Sequence, residues 1–428
     1  MQIGEKVGAT SSPLTFNIWE YPIFAMLLGY VWLELINPEI GAALQLIPKI
    51  PNSAFALGLC YFFIPDEVRR IKVPFSMLKW SLPFLLIATI NLPLVQYAKF
   101  DSTVAVISTW YWAVMLPPLM MRVVASETGR RHFAMISLVG VLIICIQYYY
   151  SLNSSIGDVQ RGNMAIGVIT VLPMTIGYIY LSSGIKRNIL IISFLIMNMA
   201  IIPAGSRSSW LILPVELLLL MLFVLPKARI MFSAVTVGIL VLTMSLLIDI
   251  SDIYSSEALS HFETRLRKAR EWEEDNTIWK RAGMLVKTKK ILEESPLFGI
   301  GYSNRSFAMF EGGDIEFMGR LAKVRQIDAH NTFLNILGGT GILGFLAFLY
   351  FMFQVLVRMK DLDQDAWRRL DVGPFIVGSI GMFLRYAVNT HSFSHIVYTC
   401  SIIMALYVMQ FNNKLDETVL ADENKRSI

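Results

Sequence analysis

A histidine and an asparagine stand at the edge of a long apolar run in DAHNTFLN, residues 328–335. The chain has only 5 histidines, and His330 lies where an apolar helix is predicted to begin. A helix N-terminus carries partial positive charge, which disfavours an imidazolium and favours the neutral ring that a general base needs. His330 is therefore a candidate base, and a capping or interfacial histidine is the alternative. Asp328 is expected to orient His330 or to cap the helix.

Arginines at unusual positions are the second group of candidates. Arg207 lies in AGSRSSW between two apolar spans, Arg161 in VQRGNM at the end of another, and Arg385 about one turn from the end of a third. A basic residue at membrane depth is costly and usually has a partner. For Arg385, reaching out to lipid phosphates is an equally weighted alternative. Because guanidinium groups bind phosphate oxygens in a bidentate manner, these residues indicate a site for an anionic ligand.

A fourth arginine lies in a segment with helical periodicity, NTIWKRAGMLVKTKKILEE. Ile278, Leu285 and Leu292 recur every seven residues and predict an amphipathic helix. Arg281 falls on the same stripe, and a solvated arginine at the edge of that stripe is the alternative. The helix is expected to end near Glu294, before a Ser-Pro pair.

Two glycines follow that proline in PLFGIGYSN. Gly299 and Gly301 predict a tight turn. The turn is not a phosphate-binding loop, because no Gly-Lys-Ser/Thr follows and no strand–helix unit surrounds it.

The elements that must hold these residues are membrane helices. The chain has 428 residues, of which 55% are hydrophobic and 16% charged, and its mean hydropathy is +0.56. Apolar runs long enough to span a bilayer, about 20 residues each, recur along nearly the whole chain. We predict an all-α polytopic membrane protein with about twelve spans, at roughly Tyr21–Ile36, Leu44–Ile64, Trp80–Tyr97, Thr103–Met121, Phe133–Tyr150, Met164–Leu181, Ile189–Ala204, Trp210–Leu225, Ile230–Ile248, Phe333–Val357, Val372–Val388 and Phe393–Phe411.

The distribution of basic residues orients these spans. Most Lys and Arg residues lie in the two termini and in every second short loop; the opposite short loops hold only Lys49, Lys99, Arg161, Arg207 and Arg385. Because cytoplasmic loops are rich in Lys and Arg, both termini are predicted to be cytoplasmic. The expected organisation is a cytoplasmic tail (1–20), nine spans (21–248), a large polar periplasmic loop region (249–329), three spans (330–411) and a cytoplasmic tail (412–428).

The remaining titratable residues do not indicate a metal site. Cys60, Cys145 and Cys400 lie inside apolar spans without CxxC spacing and are expected to be packing residues. His391 and His395 have a spacing that can bind metal, but no third ligand is apparent.

Three motifs in this order resemble the O-antigen ligase and polymerase family. They are SRSSW, WKRAGMLVKTKKILEESPLFGIGYSN and HNTFLNILGGTGILG, with Phe333 in the last where tyrosine is common in the family. The span count and a large periplasmic loop before the histidine also match. The resemblance implies a helical fold of the glycosyltransferase C group, in the bacterial inner membrane, acting on glycans linked to undecaprenyl diphosphate without a metal or other cofactor.

The resemblance also implies roles for the candidate residues. His330 would be the general base for an acceptor hydroxyl at the periplasmic face, and the reaction would invert the anomeric carbon. Arg207 and Arg281, and with them Arg161, would bind the diphosphate. Asp328, Asn331 and Arg385 would support the site. The partners would be the lipid-linked donor, a glycan or lipid A-core acceptor and the bilayer, with no nucleic acid.

Other functions remain open at this level. A polymerase would use the same donor and a glycan repeat as acceptor, and enzymes that glycosylate proteins form a third branch of the family. A transporter or flippase is the alternative from another class, since twelve spans with both ends inside is a common transporter plan. Transporters often have internal repeats and broken helices near the midplane; no repeat is evident here, and the polar candidates cluster at the outer face.

Overall fold

The computed structural model describes residues 73–124, 127–151, 156–201, 207–225, 276–311, 314–317, 320–323, 331–388 and 395–410. Most of these residues are helical. The helices are α1 Val73–Asn91, α2 Lys99–Val124, α3 Glu127–Ser151, α4 Ile156–Leu181, α5 Gly184–Ile201, α6 Arg207–Leu219, α7 Asn276–Glu294, α8 Asn304–Met309, α9 Thr332–Lys360, α10 Gln364–Arg368, α11 Gly373–Val388 and α12 His395–Gln410.

The helices agree with the prediction of a multi-pass membrane protein. Five of them, α1, α3, α4, α5 and α9, contain stretches long and apolar enough to cross a membrane, and two shorter apolar helices cover Leu211–Val224 and His395–Gln410. The predicted spans at 21–36, 44–64 and 230–248 lie outside the described residues, as do both predicted tails. The total of twelve therefore stays a prediction.

One hairpin departs from the all-α expectation. Strands β1 (Asp314–Phe317) and β2 (Arg320–Lys323) pair antiparallel, with Asp314 opposite Lys323 and Phe317 opposite Arg320. The hairpin lies in the predicted loop region between α8 and α9. Each strand has four residues, which is too short for a periodicity of two to be recognised in the sequence.

The bundle is organised around α4. The membrane segment of α4 is 83% buried, against 33% to 56% in the other four candidate spans. Helices α3, α5 and α11 pack against α4, α6 packs against α11, and α1 packs against α9. Glycines allow the closest approach between α4 and α11: a Cβ on Gly378 would lie 2.8 Å from Thr170 O, and a Cβ on Gly177 would lie 2.5 Å from Pro374 Cγ.

The prediction of which face of α7 is buried is wrong. Leu285 is 60% exposed, whereas Met284, Lys287, Thr288 and Ile291 are buried. The sequence pattern missed this face because two of its members are polar. Lys287 is buried with its ammonium 4.9 Å from the centre of the Phe307 ring, a cation–π contact that makes burial of a lysine tolerable. The predicted end of the helix at Glu294 is confirmed.

Helix α9 is broken within its first third. Gly341 has φ 66° and ψ −170°, a conformation essentially restricted to glycine. The break divides α9 into an N-terminal half-helix, Thr332–Thr340, and a longer C-terminal part. A backbone break inside an apolar helix exposes N–H and C=O groups that must find partners.

The glycine turn after α7 supplies those partners. Ile300 N and Gly301 N donate to Gly338 O and Gly339 O, at 3.1 and 3.0 Å. In the other direction, Ile342 N and Leu343 N donate to the carbonyls of Pro296 and Leu297, at 2.9 and 3.3 Å. We call these four hydrogen bonds the backbone clamp. The predicted tight turn is confirmed, since Gly299 and Gly301 both have positive φ, of 68° and 121°.

Candidate functional site

Arg385, in the last turns of α11, points into the bundle. Arg385 is only 3% exposed, and its Nη1 donates to Ser209 Oγ at 3.0 Å. The alternative in which Arg385 reaches lipid phosphates is therefore wrong. Ser209 lies in the first turn of α6, which begins at Arg207. The contact brings the start of α6 to the end of α11.

Asn331 joins the start of α9 to the same turn of α11. Its Nδ2 donates to Ala387 O at 2.5 Å, and its Oδ1 accepts from Leu334 N at 3.0 Å. Asn331 is thus the N-cap of α9, so the capping role considered for Asp328 belongs to Asn331. Asp328 and His330 lie outside the described residues, but His330 immediately precedes this anchored cap.

The antiparallel packing of α4 and α11 shows at which end of the bundle Arg161 lies. Thr170 of α4 lies against Gly378 of α11. Arg161 is nine residues before Thr170 and Arg385 is seven residues after Gly378, so they lie about 13 Å and 10 Å along their helices from that contact. Both positions therefore lie toward the same end of the bundle.

The backbone clamp shows in the same way at which end of the bundle Arg281 lies. A Cβ on Gly338 would lie 3.4 Å from Ile291 Cδ1. Further along both segments, Ile342 N donates to Pro296 O, so α7 and the first part of α9 run in the same direction. Going back from Ile291 to Arg281 therefore leads toward the end where α9 begins. Arg281 also precedes the buried Met284 and Thr288 by three and seven residues, which places its position on the packed face of α7.

These contacts define one end of the bundle, where α6 and α9 begin and α11 ends; we call it the site end. The candidate positions 161, 207, 281, 331 and 385 all lie toward it. For Arg161, Arg207 and Arg281 the structure describes the backbone alone. In the described ranges no group of three His, Cys, Asp or Glu residues could hold a metal ion.

The sequence interpretation did not single out Glu216, which lies in the same helix pair. It is a fully buried residue of α6, and neither carboxylate oxygen has a hydrogen-bond partner among the residues that the structure describes. It fills the notch at Gly381 of α11, one turn from Arg385: a Cβ on Gly381 would lie 1.7 Å from Glu216 Oε1. A lone acidic residue within an apolar span is rare, and that rarity was the available signal.

Comparison with protein families supplies an independent assignment. Residues 192–349 match the family model described as O-antigen ligase. The match supports an assignment to the O-antigen ligase family over this segment. The matched segment contains Arg207, Arg281, Asp328, His330 and Asn331, but neither Arg161 nor Arg385. No curated protein matches the sequence significantly.

The match to the O-antigen ligase model fits the fold described above. The family implies glycan-linked substrates and a lipid bilayer, and the apolar helices make the chain a multi-pass membrane protein. The match supports, in general terms, a function of the O-antigen ligase or polymerase type, as in a membrane glycosyltransferase-like enzyme.

Proposed function

We propose that this protein transfers a glycan from undecaprenyl diphosphate to a sugar hydroxyl of the lipid A core, at the periplasmic face of the bacterial inner membrane. The observation that carries the proposal is that the last turns of α11 contact the starts of two other helices. They bond to the first turn of α6, through Arg385 and Ser209, and to the N-cap of α9, through Ala387 and Asn331. This arrangement supports a single site that contains Arg207, Arg385 and His330.

The arginines serve the leaving group in this proposal. Breaking the glycosidic bond places negative charge on the lipid diphosphate, and permanently charged guanidinium groups in a site poor in water stabilise that charge. Arg207 and Arg281 take this role, and Arg161 adds to it. Arg385 supports the site from α11, where its burial and its bond to Ser209 hold the guanidinium in place.

His330 removes the acceptor proton. The acceptor oxygen forms a bond to the anomeric carbon while its proton passes to the imidazole, and the electron pair of the breaking C–O bond goes to the diphosphate oxygen. The products are the glycosylated acceptor, undecaprenyl diphosphate and an imidazolium that releases its proton to the periplasm. One displacement inverts the anomeric carbon. The hydrogen bond of Asn331 to α11 anchors the residue that follows His330 in the chain. No step in this proposal requires a metal.

The break in α9 supports a transporter less well than a glycosyltransferase. In transporters, unwound backbone within a membrane helix commonly coordinates the substrate. Here the backbone groups at the break of α9 are bonded to residues 296–301 instead. A polymerase would use the same donor chemistry with a glycan repeat as acceptor, and the experiment below distinguishes it from a ligase.

The test is a gene-deletion strain complemented with the wild type, His330→Ala or His132→Ala. His132 is the matched control, because it is an exposed histidine of α3 whose ring nitrogen contacts Thr128 O at 2.7 Å. Polyprenyl-linked glycans and surface lipopolysaccharide are extracted and their chain lengths compared.

We expect long chains to accumulate on the polyprenyl carrier and to be absent from the lipid A core, with rescue by the wild type and His132→Ala only. Single repeats on both carriers would identify a polymerase. Unchanged glycan pools in the deletion strain would overturn glycosyl transfer altogether.

A further inference from the structure

Asn91, the last residue of α1, contacts both parts of the backbone clamp. It is 1% exposed, and its Nδ2 donates to Phe298 O at 2.6 Å and to Gly339 O at 3.1 Å. Phe298 belongs to the glycine turn after α7, and Gly339 to the half-helix of α9. One side-chain amide thus joins α1 to two segments that lie 207 and 248 residues further along the chain.

An amide nitrogen suits this position. Both partners of Asn91 are carbonyl oxygens, which accept hydrogen bonds and cannot donate them. The two N–H groups of one NH₂ satisfy both carbonyls at once, whereas Asn91 Oδ1 has no hydrogen-bond partner within the described ranges. Burying a polar amide in an apolar span is costly unless it forms such bonds. Asn91 is therefore placed for these two carbonyls.

The clamp matters because α9 is not continuous. Past the break at Gly341, the direction of the half-helix Thr332–Thr340 is not set by helix geometry. It is set by what the half-helix bonds to, which is the turn that continues from α7. The half-helix carries Asn331 and, before it, His330; α7 carries Arg281.

We propose that Asn91 is a positioning residue that fixes the candidate base, His330, relative to the diphosphate-binding Arg281. The role rests on the proposed glycosyl transfer. Asn91 itself lies at the clamp and touches neither the donor nor the acceptor. It acts by holding Gly339 and Phe298 at one distance, so that α7 and the half-helix move as one unit.

Replacing Asn91 by leucine removes both hydrogen bonds at similar size and without charge. The half-helix then loses one of its ties to the turn, and the base is displaced from the acceptor oxygen. A displacement of about 1 Å lowers turnover by up to about 100-fold. We expect kcat to fall about 10- to 100-fold. The KM for the donor should change less than about threefold, because arginines on other helices hold the diphosphate.

The experiment uses purified full-length protein in lipid nanodiscs with an undecaprenyl-diphosphate glycan as donor. Asn91→Leu is compared with Thr89→Val, in the same helix. Thr89 Oγ1 accepts from Trp110 Nε1 at 2.8 Å, so the control also loses one hydrogen bond between helices but leaves the clamp intact. Asn91→Gln keeps an amide one methylene further out and tests the position if the leucine variant does not fold. Hydrogen exchange of the amides of Ile300, Gly301, Ile342 and Leu343 reports on the clamp directly.

For Asn91→Leu we expect faster exchange of those four amides and a lower kcat. For Asn91→Gln both changes should be smaller, and for Thr89→Val neither should occur. Wild-type kcat with either Asn91 variant would overturn the positioning role while leaving the proposed function in place. Equal losses in kcat and in donor affinity would also overturn it and indicate a general structural role. If the wild type itself transfers no glycan, the proposed function fails, and unchanged amide exchange would then show separately that Asn91 does not hold the clamp.

Discussion

At the scale of single residues, Arg385 illustrates how a membrane interior constrains charge. A guanidinium presents five N–H donors and cannot be neutralised at ordinary pH, so its burial requires acceptors on several sides. One of them is Ser209 Oγ, on the helix that begins with Arg207. Burying a permanent positive charge in an apolar span is unfavourable unless an anion lies near it, which agrees with a diphosphate at this end of the bundle.

The first prediction concerns this charge. We expect Arg385→Gln to lower the rate of glycan transfer about 10- to 100-fold, because the amide keeps polarity and loses the charge that stabilises the leaving group. Arg358→Gln is the control, since Arg358 is also basic but lies near the far end of α9, over Trp80 and Tyr407. The rate is measured in nanodiscs with each variant at equal concentration.

Ser209→Ala separates two explanations for that loss. If Arg385 contributes its charge to the site, removing the serine hydroxyl costs less than removing the guanidinium. A loss as large in Ser209→Ala as in Arg385→Gln would mean that the hydrogen bond, and not the charge, is what matters.

At the level of single residues, the sequence singles out a polar side chain most readily where that residue type is rare in its surroundings. Arg385 and Asn331 were recognisable as polar residues at the edge of apolar runs. Their partners, Ser209 and Ala387, were not, because they lie 176 and 56 residues away and one of them contributes only a backbone carbonyl. No local pattern encodes such contacts.

At the scale of elements, the pairing of α6 with α11 depends on a carboxylate fitted against a glycine. Glu216 is fully buried, and it occupies the space that a side chain on Gly381 would need. The second prediction follows from this fit. We expect Gly381→Ala to destabilise the protein by about 1–3 kcal/mol, the usual range for overpacking.

A double variant tests the cause of that loss. Adding Glu216→Ala to Gly381→Ala should recover much of the stability, because the space for the new methyl group is restored. Glu216→Gln alone should change stability by less than about 1 kcal/mol, since the amide has the same shape and brings no charge into the apolar interior. Additive losses in the double variant, measured by thermal unfolding in detergent, would contradict direct contact.

The break of α9 gives the third prediction. Gly341 has a positive φ, and a Cβ there would lie 2.3 Å from the backbone of Leu297, which cannot move without opening the clamp. We expect Gly341→Ala to cost about 3 kcal/mol or to prevent folding. Gly140→Ala in α3 is the matched control, since nothing lies within 4 Å of its Cβ position and alanine favours helix. Thermal unfolding of both variants in detergent checks the difference; similar stabilities would contradict the described geometry.

Elements were predictable where their signals are local. The end of α7 at Glu294 and the glycine turn both follow from neighbouring residues. The break in α9 was not predictable, because its cause is hydrogen bonding to a segment some forty residues earlier. The buried face of α7 was predicted wrongly because Lys287 counts as polar in any periodicity, although a neighbouring ring makes its burial acceptable.

At the scale of the whole molecule, the two ends of the bundle are built for different purposes. The end opposite the site end is closed by an ion-pair cluster. Arg130 of α3 is 1% exposed; it pairs with Asp371, which precedes α11, and donates to Val124 O at 2.8 Å. Its Nη1 also contacts Met409 Sδ of α12 at 3.0 Å. These contacts join α2, α3 and α12 to the segment that precedes α11.

Asp371 is ionised in this cluster. Burial raises its pKa, but hydrogen bonds from Arg369 and the attraction of Arg130 outweigh burial, so the pKa of Asp371 is lowered from its usual value. A lowered pKa means that the stabilisation is present above the usual aspartate range and is lost as the pH falls through the lowered pKa. At neutral pH the cluster therefore contributes fully.

The fourth prediction separates stability from activity across the molecule. Asp371→Ala leaves the buried Arg130 without its carboxylate, and we expect a loss of about 3–5 kcal/mol, seen as a lower melting temperature in detergent. Arg369→Gln should cost less than about 1 kcal/mol, because the side chain of Arg369 is 41% exposed and water replaces its partner. The folded fraction of Asp371→Ala should keep its turnover, since the cluster lies at the opposite end from Arg385 and Asn331. A parallel loss of turnover per folded molecule would mean that the far end also sets the geometry of the site end, through α11, the helix that both ends share.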